Sequence, residues 1–226
     1  MSALITRAMI LAAGKGERMR PLTLHTPKPL LSVFGKPLIV HHIERLAAAG
    51  VADIAINICW LKDQFLPVLG DGRAFGVRIE YFDEGDEPLE VAGGIINALP
   101  FFKGEPFAVV NADVFSDSAS PLRPPATGRL GHLMLVPNPL QHPRGDFGLE
   151  GDEVRVTGPM TYTYSGMACF HPALFAGVPP GRRALKPLLL QAMQWGRLSG
   201  ERYTGLWSDV GTPDRLAALQ APPDAH

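Results

Sequence analysis

Short apolar runs alternate along this chain with longer segments whose apolar residues recur every three or four positions. The short runs predict buried strands, and the longer segments predict helices with one apolar face. The predicted strands cover residues 8–11, 53–58, 77–81, 107–110, 130–136, 162–170 and 203–207. The predicted helices cover residues 37–49, 61–69 and 184–195, one more opens at residues 88–94, and a last one follows Thr212-Pro213.

Strands that alternate with helices predict βαβ crossovers, which place parallel strands side by side and cover both faces of the sheet. Residues 147–156, around Glu150-Gly151-Asp152, have instead the pattern of a β-hairpin. We therefore expect one α/β domain over residues 1–226, with a Rossmann-like, mostly parallel sheet, helices on both faces and a small β-hairpin lid.

The composition of the chain excludes several classes of protein. Its 226 residues carry a net charge of −1 and have a pI near 6.7, which gives no general attraction to nucleic acid or to an anionic membrane. No apolar run approaches the roughly 20 residues of a spanning helix, and residues 1–9 lack the pattern of a signal peptide.

We expect a cytoplasmic protein in which Cys59 and Cys169 are buried free thiols. The pattern predicts no oligomeric state.

A glycine loop follows the first predicted strand. Gly14 and Gly16 let the backbone amides approach a phosphate closely, and this end of a parallel strand is the usual ligand site of an open α/β sheet. The loop matches neither the dinucleotide fingerprint nor the Walker A motif. Residues 7–36 nevertheless hold six basic residues and a single acid, namely Arg7, Lys15, Arg18, Arg20, Lys28 and Lys36 against Glu17. In a nearly neutral chain, this basic focus favours a small polyanionic ligand over a solvated loop that binds nothing.

At this loop the chain resembles a known family. Leu-Ala-Ala-Gly-Lys-Gly-Glu-Arg-Met-Arg-Pro-Leu-Thr at residues 11–23, followed by Thr-Pro-Lys-Pro-Leu at residues 26–30, is similar to the signature of the sugar-1-phosphate nucleotidyltransferases. The resemblance rests on Leu11, Gly14, Gly16, Arg18, Met19, Pro27, Lys28 and Pro29. It implies the nucleotide-diphospho-sugar transferase type of fold, and an enzyme that joins a nucleoside triphosphate to a sugar 1-phosphate with release of pyrophosphate. Its partners are then small molecules, and no nucleic acid or membrane is expected.

Two aspartates complete the catalytic set that the resemblance implies. Asp113 follows the predicted strand 107–110, where a carboxylate lies at the ligand edge of the sheet. Asp209 precedes Gly211-Thr212-Pro213, in which Thr212 and Pro213 also have the pattern of a helix start. In the resembling family both aspartates hold Mg²⁺, a hard cation suited to carboxylate and phosphate oxygens. The implied catalytic residues are Arg18, Lys28, Asp113 and Asp209, the last two being the metal ligands.

The resemblance also implies two groups of binding residues. Those for the nucleotide are Leu11, Ala13, Gly14, Gly16, Glu17, Arg18, Lys28, Glu90, Gly93 and Asn111. Those for the sugar phosphate are Asn138, Gly145, Asp146 and Gly166. The chain departs from the family pattern at Val91 and Ala92, where threonine and glycine are expected, and at Ala112, where glycine is expected. Any base contact made by Val91 must therefore use its backbone.

The resemblance also implies which substrates the enzyme uses. The resemblance favours UTP with N-acetylmuramic acid α-1-phosphate, as used in peptidoglycan recycling. The lactyl carboxylate of that sugar needs a donor, and Arg144 is the nearest candidate, although a surface arginine is the preferred interpretation. Lys186 is interpreted as a solvent-facing lysine. Alternatives are mannose 1-phosphate with GTP, glucose 1-phosphate with dTTP, and a non-catalytic nucleotide sensor on the same fold.

Overall fold

A computed structural model describes residues 4–117 and 123–221 of the chain. The strands in this part are β1 (Arg7–Leu11), β2 (Ser32–Val33), β3 (Lys36–Pro37), β4 (Asp53–Ile58), β5 (Arg78–Asp83), β6 (Phe107–Asn111), β7 (Val114–Ser116), β8 (Gly131–Val136), β9 (Phe147–Glu150), β10 (Glu153–Arg155), β11 (Thr161–Phe170), β12 (Leu198–Arg202) and β13 (Trp207–Asp209). The α-helices are α1 (Leu38–Ala48), α2 (Phe65–Leu69), α3 (Glu90–Ala98), α4 (Lys186–Gln194) and α5 (Pro213–Gln220).

One large sheet carries most of these strands, in the order β5-β4-β1-β6-β11-β8-β12-β10-β9. Its first half, from β5 to β6, is parallel because the intervening helices return the chain to the same edge of the sheet. In the second half, only β8 and β12 pair in parallel, and the other pairings are antiparallel. The expected parallel sheet is thus found in the half that bears the glycine loop, and the sheet as a whole is mixed.

The two faces of the sheet pack against different helices. Along β1, Ala8 and Ile10 belong to the core under α1 and α2, whereas Met9 belongs to the core under α3 and α4. This split follows from the strand geometry, because successive side chains point to opposite faces. The prediction of helices on both faces is confirmed, and Cys59 and Cys169 are buried and form no disulfide.

The predicted hairpin is present as β9 and β10, which pair in antiparallel fashion. Both of its strands also join the large sheet, since Glu153 of β10 pairs with Ser199 of β12 and Phe147 of β9 pairs with Tyr162 of β11. The hairpin is therefore an integral part of the large sheet, since each of its strands is also hydrogen-bonded to a neighbouring strand. It is not a separate lid.

The predicted strand over residues 203–207 is wrong for most of its length. Residues 203–206 instead connect β12, which lies beside β8, to β13, which pairs with β7. Gly205 makes this turn, and a side chain at that position would overlap the Tyr203 hydroxyl.

Within the two described ranges, no helix is both long and apolar enough to span a membrane.

Candidate active site

A cavity of about 710 Å³ lies at the carboxyl ends of the parallel strands, where Leu11 ends β1, Asn57 precedes the end of β4 and Asn111 ends β6. This edge is where ligands bind in open α/β sheets. We call it the first cavity. Nine of the residues expected to bind the nucleotide line it, namely Leu11, Ala13, Gly14, Gly16, Glu17, Arg18, Lys28, Glu90 and Asn111.

The glycine loop is folded tightly against the segment that follows it. Gly16 has a φ of +62°, and a Cβ atom there would lie 2.9 Å from Cγ2 of Thr23 and 3.2 Å from Cβ of Lys28. The buried Thr23 hydroxyl donates to the Gly16 carbonyl at 2.8 Å. Gly16 is therefore needed both for its backbone conformation and for the close approach of Lys28 to the loop.

Lys28 forms an ion pair with Asp113 at the floor of the first cavity. Its Nζ atom lies 2.8 Å from Oδ2 of Asp113, and the two side chains are 8% and 40% exposed. A nearly buried ammonium group needs such a partner. The pair leaves much of the Asp113 carboxylate facing the cavity, so a strand-end acid and a loop cation meet where a phosphate would bind.

Asp209 comes next to Asp113 through the short pairing of β13 with β7. Asp209 lies opposite Val114, and the Val210 amide donates to the Asp113 carbonyl at 2.9 Å. The Asp209 carboxylate is paired with Arg215, a residue of α5. It does not itself line the first cavity, but Gly211, two residues later, does. The predicted helix start is confirmed, since Thr212 is the N-cap of α5 and Pro213 is its first residue.

The two aspartates suit Mg²⁺ in their chemistry. Over residues 4–117 and 123–221, no group of three or more histidine, cysteine, aspartate or glutamate side chains could hold a metal ion. Mg²⁺ commonly binds through one or two carboxylates and takes its other ligands from substrate phosphates and water. Asp113 lines the first cavity and Asp209 lies next to it through the pairing of β13 with β7, so these two carboxylates fit a divalent cation of this kind.

A polar network in the wall of the first cavity was not predicted from the sequence. Asn57 accepts a hydrogen bond from the Ala12 amide at 2.8 Å and donates to Glu84 Oε1 at 2.8 Å. Glu84 Oε2 in turn accepts from the Leu89 amide at 2.7 Å, and burial raises the pKa of Glu84. The network ties the glycine loop to the start of α3. Its only signal in the sequence is a single asparagine within the apolar run Ile54–Ile58.

The start of α3 is held by the segment before α4. The amides of Ala92 and Gly93 donate to the carbonyl of Arg183 at 3.0 and 3.1 Å. Gly93 faces this segment and, unlike the other expected nucleotide-binding residues, does not line the first cavity. Glu90, which does line it, has a positive φ of 62° and forms an ion pair with Arg182 at 2.8 Å.

An ion pair also joins the two sides of the first cavity. Lys15 of the glycine loop donates to Oε1 of Glu87 at 2.8 Å, and both residues line the cavity. This hydrogen bond raises the pKa of Lys15 and lowers the pKa of Glu87. The pair is solvent-exposed, so its strength is modest.

A second cavity of about 410 Å³ adjoins the first and shares Glu90, Val91 and Asn111 with it. Its remaining lining residues are Asp146, Phe147, Tyr164, Ala184, Leu185, Lys186 and Leu189. Of the four residues expected to bind the sugar phosphate, Asp146 lines this cavity. Gly166 lies behind it, where a Cβ atom would lie 2.8 Å from Nδ2 of Asn111.

Asn138 and Gly145 do not line either cavity but shape the loop that leads to Asp146. Asn138 donates to the Thr161 carbonyl at 3.1 Å and accepts from the Thr163 hydroxyl at 3.0 Å. A side chain at Gly145 would overlap Oδ1 of Asn138. Arg144, in the same loop, is exposed and lines neither cavity.

The chain matches a known protein family over its first half. The family model described as nucleotidyl transferase matches residues 7–123, which include the glycine loop, Lys28 and Asp113. The chain belongs to the nucleotidyl transferase family. The matched segment covers the parallel half of the sheet, from β1 to β7.

Relatives within the nucleotidyl transferase family align over nearly the whole chain. The N-acetylmuramate α-1-phosphate uridylyltransferase of Neisseria meningitidis serogroup B is 49% identical and is matched over 95% of this chain and 97% of its own length. The protein of the same name from Caulobacter vibrioides is 32% identical, with 95% of each chain covered. A mannose-1-phosphate guanylyltransferase of Mycobacterium tuberculosis is 40% identical over 48% of this chain.

A solved structure supports the fold. A putative glucose-1-phosphate thymidylyltransferase from Bacillus anthracis superposes with a TM-score of 0.81, covering 95% of this chain and 93% of its own. At 20% sequence identity, this likeness shows the nucleotidyl transferase fold alone.

Proposed function

We propose that this protein is a uridylyltransferase that converts UTP and N-acetylmuramic acid α-1-phosphate into UDP-N-acetylmuramic acid and pyrophosphate. The observation that carries the proposal is the Lys28–Asp113 ion pair on the floor of the first cavity. The choice of substrates follows the 49% identity to the Neisseria uridylyltransferase. A single domain over residues 1–226 and a cytoplasmic location belong to the same proposal.

The reaction is a substitution at phosphorus. An oxygen of the sugar phosphate attacks the α-phosphorus of UTP, and the bond from that phosphorus to the bridging oxygen of the β-phosphate breaks. Pyrophosphate leaves with the electron pair of that bond. Because the attacking phosphate is already ionised at neutral pH, no general base is needed, and catalysis consists of positioning and charge stabilisation.

Arg18 of the glycine loop and Lys28 of the segment after it stabilise this charge. Arg18 and the backbone between Gly14 and Gly16 hold the pyrophosphate portion of UTP, because they line the same part of the first cavity. Lys28 holds the α-phosphate and the incoming sugar phosphate. Its ammonium group is nearly buried, so its charge is poorly screened by water and acts strongly on nearby phosphate oxygens.

Asp113 and Asp209 would hold Mg²⁺ in this proposal. The bound ion supplies a Lewis acid that neutralises phosphate charge and aligns the two substrates. Lys28 and Arg215 are the partners of these two carboxylates in the structure.

The test is a panel of nucleotides and sugar phosphates, with pyrophosphate release as the readout. UTP should be preferred to GTP and dTTP, and N-acetylmuramic acid 1-phosphate to glucose 1-phosphate and mannose 1-phosphate. A preference for mannose 1-phosphate with GTP, or for glucose 1-phosphate with dTTP, would replace the substrates and leave the chemistry standing. Tight nucleotide binding without turnover on any pair would identify a sensor and overturn the proposed enzyme.

A further inference from the structure

The proposed sugar carries a lactyl ether, whose carboxylate needs a cation in the site. Arg144, the nearest candidate in the sequence, lines neither cavity. The backbone carbonyl of Arg144 accepts from the Thr161 hydroxyl at 2.8 Å, and its guanidinium group is exposed. Arg144 therefore lies in the loop that supports Asp146, and the carboxylate must be bound by another residue.

Charges in the second cavity identify one candidate. Both of its acids have partners, since Glu90 is paired with Arg182 at 2.8 Å and Asp146 accepts from the Tyr164 amide at 3.0 Å. Lys186 is the one basic residue among the described residues that line it. Lys186 is exposed, as expected of a solvent-facing lysine, and lies at the rim of the second cavity. It forms no ion pair with any residue of 4–117 or 123–221, so its ammonium group is available to a ligand anion.

Tyr164 adds a neutral donor to the same cavity. Burial raises the pKa of Tyr164, so its hydroxyl keeps its proton throughout the neutral range. Within the part of the chain that the structure describes, this hydroxyl forms no hydrogen bond, whereas the Tyr164 amide donates to Asp146. A phenol without a protein partner in a cavity wall is suited to hydrogen-bond a bound ligand.

The remaining wall is apolar and matches the rest of the lactyl group. Phe147, Leu185 and Leu189 line the second cavity beside Lys186 and present hydrocarbon surface. A lactyl ether combines one carboxylate with one methyl group. The cavity therefore offers a cation, a hydroxyl donor and an apolar wall to a substituent that has a matching anion and methyl group.

We propose that Lys186, assisted by Tyr164, binds the carboxylate of the acidic sugar and so selects N-acetylmuramic acid 1-phosphate. The inference rests on the proposed function. The two cavities meet at Glu90, Val91 and Asn111, so a sugar whose phosphate lies in the first cavity extends its substituent into the second. An uncharged sugar would leave Lys186 without its partner but would lose none of the phosphate contacts.

The experiment compares two sugar phosphates that differ in the lactyl ether. N-acetylmuramic acid 1-phosphate and N-acetylglucosamine 1-phosphate are each assayed with UTP in native protein, Lys186→Met and Lys186→Arg. Lys186→Met should lower kcat/KM for the muramic substrate about tenfold to a hundredfold, mainly through KM, and leave the glucosamine substrate unchanged. Lys186→Arg should restore most of the loss, and Tyr164→Phe should cause a smaller loss with the same selectivity.

Arg144→Met is the matched control, because it removes an exposed cation of the neighbouring loop. It should leave both substrates unchanged. Equal losses on both substrates in Lys186→Met, or a selective loss in Arg144→Met, would overturn the role of Lys186 while native turnover keeps the proposed function. If native protein turns over only the glucosamine substrate, the acidic sugar and this inference both fail. If native protein turns over neither, the proposed function itself fails.

Discussion

The Nζ atom of Lys28 lies 2.8 Å from Oδ2 of Asp113, although one residue belongs to the loop after β1 and the other follows β6. The pair joins the Thr-Pro-Lys-Pro-Leu segment at residues 26–30 to the aspartate that follows β6. It also predicts how they depend on each other, because each side chain compensates part of the charge of the other when no phosphate is bound.

The first prediction concerns the two aspartates. Asp113→Asn and Asp209→Asn should each lower the rate at least about 100-fold, because a key electrostatic group is lost. Their melting temperatures should change by only a few degrees, because asparagine keeps an oxygen acceptor for Lys28 or Arg215. Pyrophosphate release at saturating Mg²⁺ and thermal unfolding measure the two effects. Asp214→Asn, an exposed acid of α5, is the control. Full activity in EDTA would disprove the metal role.

The second prediction separates the two cations of the glycine loop. Lys28→Ala should lower kcat about 100-fold at saturating substrates, because its charge is needed most in the transition state. Arg18→Ala should mainly raise KM for UTP, by about tenfold, because it contacts the leaving pyrophosphate in both states. Steady-state kinetics with varied UTP distinguish these patterns. Arg20→Ala is the control, since Arg20 pairs with Glu17 and does not line the first cavity. A Lys28 variant that changed only KM would contradict the assigned role.

The third prediction concerns the ion pair that spans the first cavity. UTP must compete with Glu87 for Lys15, so Glu87→Gln should lower KM for UTP, by no more than about fivefold for an exposed pair. Lys15→Met should raise KM, and adding Glu87→Gln to it should then have no further effect. Asp83→Asn serves as the control, because it frees Lys62 from a similar exposed pair away from the cavity. Additive effects of Lys15→Met and Glu87→Gln would show that the two residues act independently.

The fourth prediction is a pH dependence of stability that arises under β7. His42 is buried against the Val114 backbone, and burial lowers its pKa from 6.5 to about 4. The unfolded state therefore binds the extra proton between these values, and the free energy of unfolding decreases as the pH falls from 6.5 towards 4. From pH 7.5 to pH 5, this single group should contribute a loss of about 2 kcal/mol.

Urea unfolding of native protein and His42→Gln at both pH values isolates this contribution. His41 and His132, whose pKa values burial also lowers, remain in both proteins and cancel in the comparison. The variant should be less stable at pH 7.5 but lose about 2 kcal/mol less on acidification. Identical losses in the two proteins would assign the pH dependence to other groups.

Local patterns in the sequence predicted the parallel half of the fold well. The strand expected at residues 53–58 is β4, Asp53–Ile58, and the helix expected at residues 37–49 is α1, Leu38–Ala48. Both succeed because burial on the two faces of a strand, or on one face of a helix, leaves a periodic pattern of apolar residues. The strand expected at residues 203–207 failed because Gly205 turns the chain there, and an apolar run alone carries no signal of a change of partner strand.

Site residues were likewise predictable where they lie in a local motif, and not where they stand alone in the sequence. Lys28 and Asp113 stand in recognisable motifs, whereas Asn57 is a single polar residue in an apolar strand and became visible only once the strand ends were aligned. Arg144 was chosen for its position in the sequence, beside Asp146, but its loop turns it away from the cavity. Lys186 lies far along the chain and still reaches the wall that contains Tyr164.

The sequence by itself determined most elements of the parallel half of the sheet, the basic glycine loop and the identity of the family, because these depend on residues close together in the chain. Only the tertiary structure decided which remote residues share a cavity. The pairing of β13 with β7 brings Asp209 beside Asp113, and the packing of α4 against the sheet brings Lys186 to the second cavity. The physical reason is that strand partners and helix positions are selected by burial and hydrogen bonding across the whole sheet, which no local periodicity records.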